Sequence, residues 1–102
     1  MTEVQHNGWV AREFRLGQGG SPSRVFQFDL RLSAPVEGYP RWLAMDGVLL
    51  GNGRVLINRR QHLKHLARKA GMDAEGFERE LVHWALTEVQ RIADRVQAQV
   101  AS

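Results

Sequence analysis

Positions 24–33 alternate without a break: Phe26, Phe28, Leu30 and Leu32 fall on one side, and Val25, Gln27, Asp29, Arg31 and Ser33 on the other. That is the period-two pattern of a strand with one buried face. Positions 9–16 alternate less cleanly, with Val10, Phe14 and Leu16 as the expected inward set. The stretch GQGGSPS at 17–23 reads as the loop between these two strands, because Gly and Pro interrupt strands and supply unusual backbone angles. A second loop at 34–40 leads to a third strand over 41–50, carrying Trp42, Leu43, Met45, Val48, Leu49 and Leu50, with a bulge expected at Gly47. Asn52 flanked by Gly51 and Gly53 makes a tight reversal, and 54–57 returns as a short fourth strand.

The period then changes. Leu63, Leu66, Ala67 and Ala70 recur at helical spacing between Asn58, expected as the N-cap, and Gly71, a C-terminal stop, which predicts a helix over about 59–70. Asp73 is placed to cap a second helix over about 74–98, where Glu75 complements the positive end. At about 1.5 Å per residue that helix is longer than a domain of this size is wide, so one end is expected to project. Its apolar residues also spread round a broad arc. Val82, Val89 and Val96 recur at seven-residue spacing, with Ile92 at a coiled-coil offset, which suggests a self-association surface and a homodimer. The competing reading packs the same stripe onto the sheet and the first helix.

These elements predict one α+β domain over 1–102, with strands at about 9–57: a four-stranded antiparallel meander followed by a short basic helix and a long C-terminal helix. A chain of 102 residues supports one compact core and not two. There is no cysteine, hence no disulfide, thiolate nucleophile or cysteine-based metal site. Nor is there a run near the roughly 20 apolar residues of a membrane span or a leader-like start, so a cytoplasmic protein without membrane contact is expected.

Charge adds the most polarised feature. Formal net charge is +3, and the surplus lies in one block that contains no Asp or Glu: Arg54, Arg59, Arg60, Lys64, Arg68 and Lys69. Downstream, Asp73, Glu75, Glu78, Glu80, Glu88 and Asp94 outnumber Arg79, Arg91 and Arg95. On a helical wheel Gln61, Lys64, His65, Arg68 and Lys69 lie opposite the Leu63/Leu66 stripe, forming a coherent basic face. Arg59 and Arg60 sit in the first turn, where the helix dipole disfavours cations by roughly 0.3–1 kcal/mol each. Stability alone would not select them there. The bland alternative pairs the basic face with Glu75, Glu78 and Glu80 of the next helix.

The candidate binding residues are therefore Arg54, Arg59, Arg60, Lys64, His65, Arg68 and Lys69, and the candidate self-association residues are Val82, Val89, Ile92 and Val96. A helix-turn-helix reading of 61–84 places acidic residues at the start of the would-be recognition helix, where phosphates would repel them. His62 and His65 with His83 make a weak metal motif lacking a carboxylate at motif spacing, and no metal or other cofactor is expected. No nucleophile elbow or carboxylate pair marks an enzyme. An exposed Trp42 or Tyr39 beside Arg41 could anchor a partner. The sequence thus points to a small non-enzymatic interaction protein, an adaptor or inhibitor. Its basic helix would contact an acidic or nucleic-acid-binding surface on a protein partner; direct nucleic-acid binding through the same helix and hairpin is the alternative.

Overall fold

The computed structural model describes residues 3–18 and 23–101. Five strands, β1 (Glu3–His6), β2 (Trp9–Gln18), β3 (Arg24–Leu32), β4 (Leu43–Leu49) and β5 (Val55–Ile57), form one antiparallel sheet in sequential order. Two helices follow, α1 (Arg60–Lys69) and α2 (Ala74–Ala101). The α+β class and the meander-then-helices order are as the periodicity predicts, with one strand more. That strand, β1, pairs with β2 across a two-residue turn at Asn7 and Gly8, where Gly8 takes a φ of +95°. The residues 19–22, part of the expected first loop, lie outside the described residues, and β2 extends through Gly17 to Gln18.

One sheet face carries the core. Phe26, Phe28, Leu30, Leu32, Met45, Val55 and Ile57 are buried there against Leu63, Leu66 and Ala67 of α1 and Phe77, Leu81, Trp84 and Ala85 of α2. Trp84 is the pin, meeting Phe28 edge-on at 5.0 Å and Phe14 at 5.5 Å between ring centroids, geometries that aromatic quadrupoles favour.

Three local expectations are corrected. First, the inward set of β2 is Trp9, Ala11, Phe14 and Leu16; Val10 is buried as expected, but outside that cluster, at the strand position that pairs with Arg31. A register shift between Arg12 and Arg15, with Glu13 at a φ of 56°, inserts one residue and flips the parity of the strand halfway along. Second, Gly47 is not a bulge: β4 runs in register past it. A Cβ there would lie 2.2 Å from Phe26 Cζ and 2.5 Å from the Leu56 carbonyl oxygen, so glycine is what lets the Phe26 ring lie on the strand. Third, Asn58 does not cap α1. It is tied back to β4, its amide donating to the Asp46 carbonyl at 3.0 Å and its side chain to Asp46 Oδ2 at 2.7 Å, and Arg59 takes the capping position in a left-handed conformation without a side-chain cap bond.

Helix α2 has 28 residues, about 42 Å at 1.5 Å per residue, in a molecule measuring 48 × 25 × 21 Å. Its first half packs on the sheet, whereas from Gln90 onward the described side chains are exposed apart from a partly buried Ile92. The expected projecting end is the C-terminal one. Among the described residues no helix is long and apolar enough to cross a membrane.

Candidate interaction surface

The basic block is divided by the packing of α1 against α2. Arg60, Lys64 and Arg68 recur every four residues, so they form one stripe, and that stripe faces the first turns of α2. Glu78 sits at its centre. It is 5% exposed, the one buried charged residue among those described, and its carboxylate pairs with Arg60 through one oxygen and with Lys64 Nζ through the other at 3.3 Å. Glu75, further out, meets Arg68 Nη2 at 3.4 Å and Lys64 Nζ at 3.8 Å.

Magnitudes separate these contacts. The Arg68–Glu75 pair is solvent-exposed and of the kind that contributes about 0–1 kcal/mol. Glu78 is different, because a carboxylate held out of water without a partner costs several kcal/mol. Arg60 and Lys64 are therefore required where they are. Lys64 is itself only 20% exposed at the side chain, so its charge is directed inward more than to solvent.

The other half of the block is free. Arg54, Arg59, His65 and Lys69 are all exposed and, among the described residues, form no ion pair. Arg54 stands on the β4–β5 hairpin, where its amide donates to Asn52 Oδ1 at 3.0 Å. Arg59 has a φ of 62° and ψ of 39°, a conformation that costs an L-residue with a Cβ about 1–2 kcal/mol. Its side chain lines an open groove of about 310 Å³ with Arg15, Gln27 and Asp46. Even after Glu75 and Glu78 are set against it, the block keeps a positive surplus.

Other sequence candidates are dispersed. His62 packs edge-on against Tyr39 at 5.4 Å, while His83 lies beside Trp84 on the far side of the molecule's core, in a groove with His6 and Trp9. Among the described residues, no group of three His, Asp or Glu side chains is placed to hold a metal. Trp42 packs on the open face of the sheet under Arg12, whose guanidinium carbon is 3.7 Å from the ring centroid, with Arg31 at 5.2 Å. The α2 residues of the seven-residue repeat divide as well. Val82 packs against the core and Val89 is buried, Ile92 is partly buried, and Val96 is 53% exposed.

With this geometry in view, the chain was compared with known proteins: no family model, no curated protein and no solved structure matches it.

Proposed function

We propose that this chain is a small non-enzymatic interaction protein, an adaptor or inhibitor, that meets an acidic or nucleic-acid-binding surface of a protein partner. The contact is made by the unpaired half of its basic block: Arg54, Arg59, His65 and Lys69. One observation carries the reading. Arg59 is a cation at the positive end of a helix, in a left-handed backbone conformation, with no side-chain capping bond and, among the described residues, no ion pair. Each of those features disfavours folding. A residue retained against its local energetics is best explained by what it touches outside the chain.

The protein-partner reading is favoured over direct nucleic-acid binding because Arg60, Lys64 and Arg68 are engaged by Glu75 and Glu78. That leaves three full cations, a short footprint for a duplex, whose affinity accumulates over many phosphate contacts. The projecting end of α2, with Val96 exposed and Ile92 partly so, is the segment through which a homodimer would form.

The test pairs affinity capture with anisotropy. Capture from a lysate of the source cells uses the native chain and the Arg54→Glu/Arg59→Glu/Lys69→Glu variant, and labelled duplex DNA and single-stranded RNA are titrated at several salt concentrations. The reading expects a protein retained by the native chain and lost by the variant, with no saturable nucleic-acid binding. Nucleic-acid binding whose salt slope implies more than about three phosphate contacts overturns it in favour of the alternative.

A further inference from the structure

The loop over 33–42, which joins β3 to β4, leaves a small pocket beside α1, of about 100 Å³. Its floor is Leu32, Leu43 and Leu66 of the core cluster, and the loop supplies Pro35, Val36 and Tyr39 as walls. Internal hydrogen bonds fix the loop. The Tyr39 amide donates to the Val36 carbonyl at 3.2 Å, and the Arg41 guanidinium to the Ser33 carbonyl at 3.4 Å.

Volume limits the occupant. An apolar cavity of about 150 Å³ holds one benzene, and drug-sized ligands take pockets of about 300 Å³ or more. This smaller pocket matches one branched aliphatic side chain, the kind of anchor a protein segment inserts into its receptor.

Charge at the rim selects what surrounds that side chain. Helix α1 has two flanks: Arg60, Lys64 and Arg68 face α2, and His62, His65 and Lys69, spaced three and four residues apart, lie on the other side. The edge-on contact of His62 with Tyr39, at 5.4 Å between ring centroids, sets this second flank against the pocket. Lys69 lies about one turn beyond Leu66 and is exposed, and the exposed Arg41 stands at the rim. Among the described residues neither forms an ion pair. Glu37, the one acid of the loop, does not line the pocket. An apolar well beside two unpaired cations is complementary to an aliphatic side chain flanked by carboxylates.

We propose that this pocket anchors the partner: it takes one leucine-sized side chain from an acidic segment, whose carboxylates fall toward Arg41 and Lys69. The proposal rests on the acidic-partner reading of the basic surface and adds the apolar contact that selects among acidic partners. The probe is a synthetic pentapeptide, blocked at both ends, with one leucine between two pairs of glutamates. It is titrated to millimolar concentration into the full chain carrying ¹³C-labelled Leu and Val methyls. Val36, Leu43 and Leu66 are followed, with Leu81, buried where α2 meets the sheet, as the reference. Three further peptides replace the leucine by alanine, the leucine by tryptophan, or the glutamates by glutamines.

Saturable shifts at Val36, Leu43 and Leu66, with Leu81 unmoved, are expected with the first peptide. The alanine and tryptophan versions should bind about tenfold more weakly, the one for lost apolar contact and the other for size. Arg41→Gln should weaken the glutamate peptide about threefold and leave the glutamine version unchanged. Equal affinity of the leucine and alanine peptides overturns the anchor while leaving an acidic partner in place. Equal affinity of the glutamate and glutamine peptides, or no saturable binding by any of the four, also overturns it. Partner capture tests the basic surface separately, through Arg54 and Arg59, which do not line the pocket.

Discussion

Two sets of basic residues, interleaved within sixteen residues of sequence, behave differently in the folded chain. Arg60, Lys64 and Arg68 face α2 and hold Glu78 and Glu75; Arg54, Arg59, His65 and Lys69 are exposed and, among the described residues, form no ion pair. Helical phase decides the difference. A residue on the four-residue repeat that faces α2 is drawn into the inter-helix seam, and one a step away is not. A basic run is thus one feature in sequence and two in structure: one part holds two helices together, and the other is available to a partner.

The sharpest way to break that comparison is Glu78→Ala. It leaves Lys64 part-buried without its closest anion and opens space beneath α1. A loss of about 2 kcal/mol is expected by urea denaturation, below the 3–5 kcal/mol of a fully buried pair because Arg60 remains half in water. A loss under about 0.5 kcal/mol, the level of an ordinary surface change, would mean the seam is not held by charge. Arg59→Gly works in the opposite direction. Glycine adopts the left-handed conformation freely, so stability should rise by up to about 1 kcal/mol while capture of the partner weakens; a fall in stability would show that the Arg59 side chain supports the fold. The smallest effect is expected at Lys69→Gln, within about 0.5 kcal/mol in denaturation with partner binding reduced.

Much of the fold was legible because its signals are local. The β3 alternation, the helical stripe of α1 and the excess length of α2 need no tertiary knowledge. The missing strand is instructive: β1 has four residues, too few for periodicity to register, yet the Asn7–Gly8 pair between Val4 and Trp9 is a hairpin signal in its own right. Gly47 and the β2 bulge were beyond local reading for a physical reason. Whether a glycine marks a bulge or makes room for a neighbouring ring depends on Phe26, its direct partner on the adjacent strand.

The site was legible as a charged block, but its division was not, although one clue was present. Glu78 falls on the same α2 stripe as Ala74, Leu81 and Ala85, all buried. A carboxylate on an otherwise apolar face demands a cation from whatever packs against it, and Arg60 and Lys64 were the nearest available. The pocket beside α1 had no such clue, since Leu32, Leu43 and Leu66 come together only when the end of the sheet packs on that helix.

The division of the basic block is tested most directly by urea denaturation of two triple variants side by side, Arg60→Met/Lys64→Met/Arg68→Met and Arg54→Gln/Arg59→Gln/Lys69→Gln. The first is expected to lose about 2–3 kcal/mol, because Glu78 is left buried without a partner, and the second to stay within about 0.5 kcal/mol of the native chain. Equal losses, or a larger loss in the second, would contradict that division.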